Sequence, residues 1–455
     1  MGSARCTSGM AAGTLVGILA LSACTGDERP RPTPSPTPRF ETPLAVVTHL
    51  SRDVNDLTLA QARAVVDGDA FDWADLGSTP GPLRVVGTVE EVAEDRDAVA
   101  VVPADAVTPR VRALTVDGED PLRAGDDFML SEPSGSRPGA VVTTTIVGDI
   151  MLGRRVDDSL ERHGDPSAVF RPLAKRLASA DITVGNLEST LSMSGPPTQG
   201  GDSFGADASV LAGLRLAGFD LLSVANNHLG DFGDDAIVET IEKLDGAGFR
   251  TVGAGANLAQ ATEPVVITVD GVKVGFVATD SIGETPAAGR DSPGTNRIDA
   301  PPRTGPLDRQ ALDRVADSVR DLDADVVIAL PHWGTQYTNM PERSQRRIAR
   351  ALSDAGADVV VGGHPHWVQG WESIGEATVV HSLGNFVFDM DFMRETNEGI
   401  LVEIVSRGGR VVAIEPVPYV IDARFTPRPA GADRAGDIFE RIRQASEPPF
   451  DDLRP

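Results

Sequence analysis

The chain is poor in cysteine, in histidine and in positive charge. Its 455 residues include two cysteines and seven histidines, and 41 Lys and Arg stand against 67 Asp and Glu, giving a net charge of −26. Two cysteines cannot build a Cys-based zinc site or a disulfide scaffold. The acidic balance excludes a protein that binds nucleic acid through a general basic field, so no nucleic-acid partner is expected. With 24% charged and 41% hydrophobic residues, the composition is that of a folded globular protein.

A short apolar run at residues 10–20 follows Arg5 and is too short to span a bilayer. It precedes Leu21-Ser22-Ala23-Cys24, a pattern typical of a secretory signal peptide with small residues at its cleavage point. The tetrad resembles the lipobox of bacterial lipoproteins, whose cysteine is acylated and becomes the mature N-terminus. We therefore expect residues 1–23 to be a lipoprotein signal peptide and Cys24 to anchor the protein by lipid on the extracellular face of the cell membrane. The alternative is an ordinary signal peptide with a chance cysteine.

Composition predicts two folded parts separated by linkers. Residues 24–43 are rich in proline, which favours extended polyproline II and predicts a spacer. Residues 131–139, SEPSGSRPG, have the composition of a second linker. We expect a small α/β domain at 44–130, a main domain at 140–420, and a tail with one helix at 421–455.

Within the small domain, Thr58 and Gln61 form a capping box that predicts a helix, and Gly68 is placed to end it. The stretch LTLAQARAVVDGDAFDWADLG at residues 57–77 resembles a fragment of a phosphate-type periplasmic solute-binding protein. The domain contains no Gly/Ser/Thr-rich anion loop. Two interpretations remain open: an accessory domain that binds nothing, and a solute-binding lipoprotein that feeds a transporter.

In residues 140–420, apolar runs rich in β-branched residues alternate with amphipathic segments, which predicts an α/β fold with a mixed sheet or sheets. Strands are predicted at 141–147, 182–184, 221–224, 265–269, 272–278, 326–330, 359–361, 377–380, 399–405 and 411–416. Helices are predicted at 170–180, 210–217, 234–247, 308–321, 342–355 and, in the tail, 436–444. Asp270-Gly271 between two strands indicates a type I′ hairpin turn.

Polar motifs stand at or near the ends of several predicted strands. Open α/β folds build their sites at the carboxyl edge of the sheet, so these side chains are expected to converge. Asp, Glu, Asn and His also bind divalent metals through oxygen and imidazole nitrogen. The candidates are Asp149, Asn186, Glu188, Asn227, His228, His332, His364 and His366.

The His-Pro-His pair follows Gly362-Gly363, which permit a close backbone approach. Taken alone, His364 and His366 would form a hydrogen-bonded loop pair more often than a metal site. Together with His332 and Asn227, they favour metal ligation. The remaining histidines outside such motifs, His49 and His163, are expected on the surface.

In order along the chain, the motifs GDIMLGR, GNLE, NNH, PHWG, GGHPH and SLGNF resemble the capsule-synthesis CapA-type family. That family is linked to poly-γ-glutamate production and is related in fold to calcineurin-like metallophosphoesterases. The resemblance implies a two-sheet sandwich flanked by helices, with a two-metal centre between the strand ends. It implies one or two divalent ions, Mn, Fe, Zn or Mg, as cofactor.

The resemblance also assigns roles. Asp149 and His366 would bind the first metal, and Glu188 would bridge both. The second metal would be bound by Asn227, His332 and His364. His228 would assist the leaving group or hold the phosphate.

The chain departs from the phosphoesterase pattern in its first motif. Met151 stands where Asp-x-His enzymes have an imidazole, which leaves the first site one ligand short, because a thioether binds hard cations poorly. Leu229 follows His228 where an acid is common, and Asp231 is the candidate to compensate. Metal binding is therefore expected, whereas phosphoesterase activity is doubtful.

Several side chains beside the motifs have two possible roles. Arg154 and Arg155 either clamp an anionic substrate or form salt bridges to Glu188 or Asp149. The tryptophans either pack in the core or stack on a substrate. They are Trp333, Trp367 and Trp371. For His381 and Asn385 we expect a role in orienting metal ligands.

Two functions follow from the sequence. The first is a surface lipoprotein of capsule or poly-γ-glutamate synthesis with a metal-dependent hydrolase-like site for an anionic polymer, peptide or phosphate ester. The second is a non-catalytic assembly or binding subunit that keeps the metallophosphoesterase fold. Either would act with capsule-synthesis membrane proteins as expected partners.

Overall fold

The computed structural model of the protein describes residues 40–454. The predicted signal peptide, Cys24 and most of the first linker lie outside the described residues, so those predictions stay predictions. Among the helices that the structure describes, none has the length and apolarity needed to cross a membrane.

The first part of the described chain folds as a small α/β unit. Its elements are β1 (Phe40–Thr48), β2 (Asp56–Leu57), α1 (Leu59–Asp67), β3 (Arg84–Val86), α2 (Val89–Glu94), β4 (Ala98–Pro103), β5 (Arg112–Ala113), β6 (Thr115–Val116) and β7 (Ser131–Ser134). Strand β1 lies between β4 and β5, and β3 extends the sheet beyond β4. Helix α1 has the predicted capping box at Thr58 and ends at Gly68 with φ of 75°.

The two predicted linkers contribute more structure than their composition suggests. Strand β1 begins at Phe40, inside the predicted spacer, and its first residues pair antiparallel with β7. Strand β7 therefore occupies the first half of the predicted linker at 131–139. Pro133 is tolerated there because an edge strand leaves one row of backbone groups unpaired.

The strands of the second part are β8 (Val141–Ile150), β9 (Ile182–Leu187), β10 (Leu221–Ser223), β11 (Arg250–Val252), β12 (Ala254–Gly255), β13 (Val265–Val269), β14 (Val272–Asp280), β15 (Gly294–Thr295), β16 (Val326–His332), β17 (Val359–Val361), β18 (Trp371–Ile374), β19 (Ala377–Val380), β20 (Asn385–Val387), β21 (Glu398–Arg407), β22 (Arg410–Ile421) and β23 (Pro427–Pro429). Its helices are α3 (Arg154–His163), α4 (Arg171–Leu177), α5 (Leu211–Leu216), α6 (Asp234–Gly246), α7 (Leu258–Ala261), α8 (Arg309–Arg320), α9 (Arg343–Ala355) and α10 (Ala432–Ala445).

These strands form two main sheets. One has the order β11-β10-β9-β8-β21-β22-β23, with β20 also paired to β8, and the other has the order β13-β14-β16-β17-β19-β18. Apolar residues of both sheets, such as Ile146 and Val184 of the first and Phe276 and Ile328 of the second, share one buried cluster. Helices α3 to α6 cover the outer face of the first sheet, and α8 and α9 cover the second. The predicted two-sheet α/β sandwich flanked by helices is confirmed.

Parallel strands bring the polar motifs to one edge. Strands β8, β9 and β10 are parallel in the first sheet, as are β14, β16, β17 and β19 in the second. Strands β8 and β16 are longer than predicted, so Asp149 and His332 lie within the strand ends instead of in the following loops. The turn at Asp270-Gly271 has positive φ at both residues, as a type I′ hairpin requires.

Helix α3 and the end of the chain differ from the sequence prediction. No helix was expected at Arg154–His163, because this polar segment buries few apolar side chains, chiefly Val156 and Leu160. The tail helix α10 is longer than predicted. Beyond it, Phe450 and Leu453 are buried, and the Phe450 ring lies 5.7 Å from that of Trp371, so this acidic end is part of the fold.

Candidate metal centre

The predicted metal-binding side chains converge where the two sheets meet. Asp149 at the end of β8 is the register neighbour of Asn186 in β9, and Glu188 follows β9 directly. His332 ends β16, while the other candidates lie in the turn after β10 and the loop after β17. The exposed fraction is 2% or less for Asp149, Glu188, Asn227, His332, His364 and His366.

The loop after β17 lies directly against the first carboxylate. The backbone N–H of His364 donates to Asp149 Oδ2 at 3.0 Å. A Cβ on Gly363 would stand 2.6 Å from Asp149 Oδ1, so any larger residue would force this carboxylate to move. His364 and His366 both have positive φ, 93° and 57°, a strained conformation that tends to occur at functional sites. The segment is therefore a tight loop that turns both imidazoles inward.

Glu188 belongs to two groups of potential ligands. One group is Glu188, His364 and His366, and the other is Asp149, Glu188 and His332; in each, one donor atom per residue lies within 4.8 Å of the others. Asn227 Oδ1 lies 3.0 Å from His332 Nε2, which adds an amide oxygen to the second group. Glu188 is shared, as expected of a bridging acid, but the groups place Asp149 with His332 and His364 with His366, whereas the resemblance placed Asp149 with His366 and His332 with His364.

The donor atoms of these groups fit a divalent cation. Glu188 Oε1 and both ring nitrogens of His364 are buried without a hydrogen-bond partner among residues 40–454. A buried polar atom without a partner is costly, and coordination to a cation would satisfy it. Imidazole nitrogen and carboxylate oxygen together suit Zn, Mn and Fe.

Burial sets the protonation of the centre. It raises the pKa of Asp149 to about 6, and it raises that of Glu188 well above its usual range, with the nearby charge of Asp149 adding to the effect. Burial also lowers the pKa of His332 and His364 well below the usual value and that of His366 to about 4. The three imidazoles are therefore neutral at pH 7 and offer a lone pair to a metal.

His228 has the surroundings of an acid–base residue. Its Nδ1 lies 2.8 Å from Asp231 Oδ2, and its ring stacks on Phe204 with centroids 3.7 Å apart. Gln199 Nε2 and the Phe204 backbone N–H donate to the carboxylate of Asp231 and fix it. Because a carboxylate accepts the proton of Nδ1, Nε2 is free and stands 3.9 Å from Glu188 Oε1.

The family model described as bacterial capsule synthesis protein PGA_cap matches residues 143–390, more than half of the chain. The chain belongs to this family. The capsule biosynthesis protein CapA of Bacillus anthracis is 32% identical over 302 residues, 65% of this chain and 71% of that protein. The PGA biosynthesis protein CapA of Bacillus subtilis is 31% identical over 297 residues, 64% of this chain and 75% of its own. A crystal structure described as a novel phosphatase, from Mycoplasma pneumoniae, covers 63% of this chain and 96% of its own, at 12% identity and a TM-score of 0.39.

In this PGA_cap protein, the two arginines after the first motif bind neither Asp149 nor Glu188. Arg154 donates to the buried Asp389 and to Asp202. Arg155 pairs with Asp391 at 2.8 Å and with Asp389 at 3.6 Å, and its side chain is 51% exposed. The alternative of a salt bridge to the predicted metal ligands is therefore wrong, because closer acids on the loop after β20 take both guanidinium groups.

Of the two residues expected to orient metal ligands, Asn385 contacts a ligand side chain and His381 does not. Asn385 Oδ1 lies 2.8 Å from His366 Nδ1, which leaves Nε2 of that imidazole for a metal. His381 instead faces Glu372, 3.4 Å away, and only its backbone oxygen supports the site by accepting from Trp333 Nε1.

The remaining sequence interpretations concern packing and exposure. Trp333 and Trp371 are buried at 1% and 0% exposure, as the packing interpretation expects, and Trp367 is half-buried. His163 is exposed as predicted. His49 is buried at 5% exposure, contrary to prediction, because its ring lies at the end of β1 and bonds to Ser51.

Asn186 was a strand-end candidate without an assigned role, and two further residues of the centre, Glu284 and Tyr337, were not predicted. Asn186 Nδ2 donates to Asp149 Oδ1 at 2.8 Å and lies 3.3 Å from His332 Nδ1. Its signal was its place two residues before Glu188 at a strand end. Glu284 accepts from Asn227 and the Tyr337 ring stacks beside His366, and neither role has a recognisable local motif.

Proposed function

We propose that this PGA_cap family member is a surface lipoprotein of capsule or poly-γ-glutamate synthesis that hydrolyses an anionic polymer, peptide or phosphate ester at a metal centre. The observation that supports the proposal most directly is Glu188, whose buried carboxylate joins two groups of potential ligands. A divalent cation held there would supply Lewis acidity, which stabilises negative charge that develops on a carbonyl or phosphoryl oxygen.

Two residues of the chain have the surroundings for proton transfer and anion contact. In its doubly protonated form, His228 would donate the Nε2 proton to the leaving group while Asp231 holds Nδ1. The guanidinium of Arg154 lies over the ring of Phe204, 4.4 Å from the ring centroid. The same ring stacks on the imidazole of His228. Both arginines are paired with acids, and Arg154 is the one placed beside His228 through Phe204, so it is the better candidate for contacting an anionic substrate.

A non-catalytic assembly subunit is the second candidate, and Met151 favours it. This residue is fully buried, belongs to an apolar cluster, and donates its backbone N–H to Val387. A thioether among apolar side chains adds no ligand for a hard cation. Such a protein would bind one cation firmly and a second weakly, and would have no turnover.

One experiment separates the candidates: measurement of bound Mn, Fe and Zn in the purified protein, with assays on p-nitrophenyl phosphate and γ-glutamyl peptides. The hydrolase proposal expects His228→Ala to keep its metal and lose activity by about 10²- to 10⁴-fold, the usual contribution of a positioned acid–base group. His163→Ala, which changes an exposed histidine, is the matched control. Metal without hydrolysis of any such substrate would support the assembly subunit instead.

A further inference from the structure

The amide of Asn227 is oriented by an acid from a distant part of the chain. Asn227 Nδ2 donates to Glu284 Oε2 at 2.8 Å, while Oδ1 of the same amide lies 3.0 Å from His332 Nε2. An ionised carboxylate only accepts hydrogen bonds, so the NH₂ group must face Glu284. The amide oxygen is then directed toward His332 and the ligand group.

The loop that contains Glu284 is fixed to both neighbouring ligand segments. It follows β14, and the Ser281 backbone N–H donates to the carbonyl of His332 at 2.9 Å. At its other end, Thr285 Oγ1 accepts from the backbone N–H of Gly230, in the turn that follows Asn227. The loop therefore holds Glu284 at a constant position relative to His332 and Asn227.

Glu284 is itself held in place at a conformational cost. Its φ of 71° lies in the left-handed region, which is unfavourable for a residue with a Cβ. Arg303 Nη2 donates to Glu284 Oε1 at 2.9 Å, so each carboxylate oxygen has its own partner. Strained residues of this kind persist where the surrounding contacts determine their position, and they concentrate at functional sites.

We infer that Glu284 is a positioning residue for the metal centre, acting through Asn227 by holding the amide with its oxygen toward the cation. The inference rests on the metal binding of the proposed function. Partners outside the first ligand shell typically change metal affinity by about 10- to 100-fold when they are removed. Glu284 would make its contribution without touching the cation.

The test is a titration of the metal-free protein with Mn²⁺ alone, in which calorimetry measures the dissociation constant. We expect Glu284→Ala to raise the Mn²⁺ dissociation constant by about 10- to 100-fold. Glu284→Gln keeps an oxygen that accepts from Asn227 Nδ2 and should restore most of the affinity. Glu376→Ala, an exposed glutamate in the turn between β18 and β19, is the matched control and should bind like wild type.

A double-mutant cycle with Asn227→Ala distinguishes positioning from a structural effect. If Glu284 acts through Asn227, the double variant should lose no more affinity than Asn227→Ala alone, because coupled residues are non-additive. Additive losses, a Gln variant as weak as the Ala variant, or unchanged affinity in Glu284→Ala would each overturn the inference. Wild-type protein that binds neither Mn²⁺ nor Zn²⁺ would overturn the proposed metal centre as well.

Discussion

The carboxyl pair Asp149 and Glu188 is the most heavily desolvated acidic feature of the centre. Both side chains are fully buried, and the charge of Asp149 adds to the cost of ionising Glu188. Burial favours the neutral acid, whereas a cation favours the carboxylate. Below about pH 6, Asp149 therefore holds a proton that a bound cation would displace, and the raised pKa of Glu188 acts in the same direction.

The raised pKa values of Asp149 and Glu188 predict that metal binding releases protons. A group whose pKa is raised holds a proton that the cation must displace, so apparent metal affinity should increase with pH between about 5 and 7. The imidazoles add little to this pH dependence, since the pKa of His366 is lowered to about 4 and those of His332 and His364 are also lowered. Calorimetry in buffers of different ionisation enthalpy measures the released protons. Affinity that is constant over this range would contradict the prediction.

His332 should be the ligand whose loss weakens the centre most. Its Nε2 lies beside Asn227 Oδ1 and 3.8 Å from Glu188 Oε1, so it joins the amide to the shared acid. A ligand at 100 times its dissociation constant stabilises the native state by about 2.7 kcal/mol. We expect His332→Ala to lose most of its bound metal and most of this stabilisation, measured as the metal-induced rise in Tm. His163→Ala should behave like wild type, and equal metal content in both variants would refute the prediction.

For single residues, the residue types at strand ends were sufficient to predict the candidate metal ligands. They were not sufficient to predict the side chains that orient those ligands. Five of the seven histidines follow or end strands between His228 and His381, and four of these five meet at the centre. Their orienting partners depend on tertiary contacts. Glu284 is 57 residues from Asn227, and no local pattern links two such positions.

At the scale of elements, the loop after β17 lies against the ends of β8 and β16 because Gly362 and Gly363 have no side chains. A Cβ on Gly362 would collide with the carbonyl of His381 and with Trp333, and one on Gly363 would collide with Asp149. The close approach places the N–H of His364 on the Asp149 carboxylate. The loop and the strand end thus form one ligand cradle.

Gly363→Ala should disrupt this cradle. The added methyl would push Asp149 away from His332, and overpacking of this kind typically costs about 1–3 kcal/mol of unfolding free energy. Metal affinity should fall with it. Gly436→Ala in α10 is the control, because its Cβ meets nothing within 4 Å and a helical Gly→Ala change stabilises by about 0.5–1 kcal/mol. Chemical denaturation and metal titration of both variants check the pair, and an unchanged Gly363→Ala protein would contradict the model of the cradle.

The elements that could be predicted are those with a strong apolar pattern. All ten strands predicted in the main domain are present, because most of them are uninterrupted apolar runs such as residues 326–330. Strands such as β18 and β20 were missed, since Trp371–Ile374 and Asn385–Val387 include polar residues and derive their order from pairing with β19 and β8. Tertiary context, not local propensity, forms such elements.

At the scale of the whole molecule, the small N-terminal unit and the main sandwich share a core. Val47 and Val102 of the small unit pack in one cluster with Val405 and Val412 of β21 and β22. The buried Arg407 donates from Nη1 to the carbonyls of Leu122 and Ala124, at 2.9 Å each. The composition of residues 131–139 predicts a linker between two folded parts, and such a composition carries no information about which faces of those parts are apolar.

The sequence predicts that Cys24 attaches the folded protein to the membrane. Its place after Leu21-Ser22-Ala23 and before a proline-rich spacer predicts acylation there, and two acyl chains provide the stable anchoring that one does not. We expect Cys24→Ala to release the protein into the medium when cells are fractionated. Cys6→Ala is the matched control, because Cys6 lies in the predicted signal peptide, and this variant should stay with the membrane fraction. Membrane association that survives in Cys24→Ala would show that another part of the protein, or a partner, holds it at the cell surface.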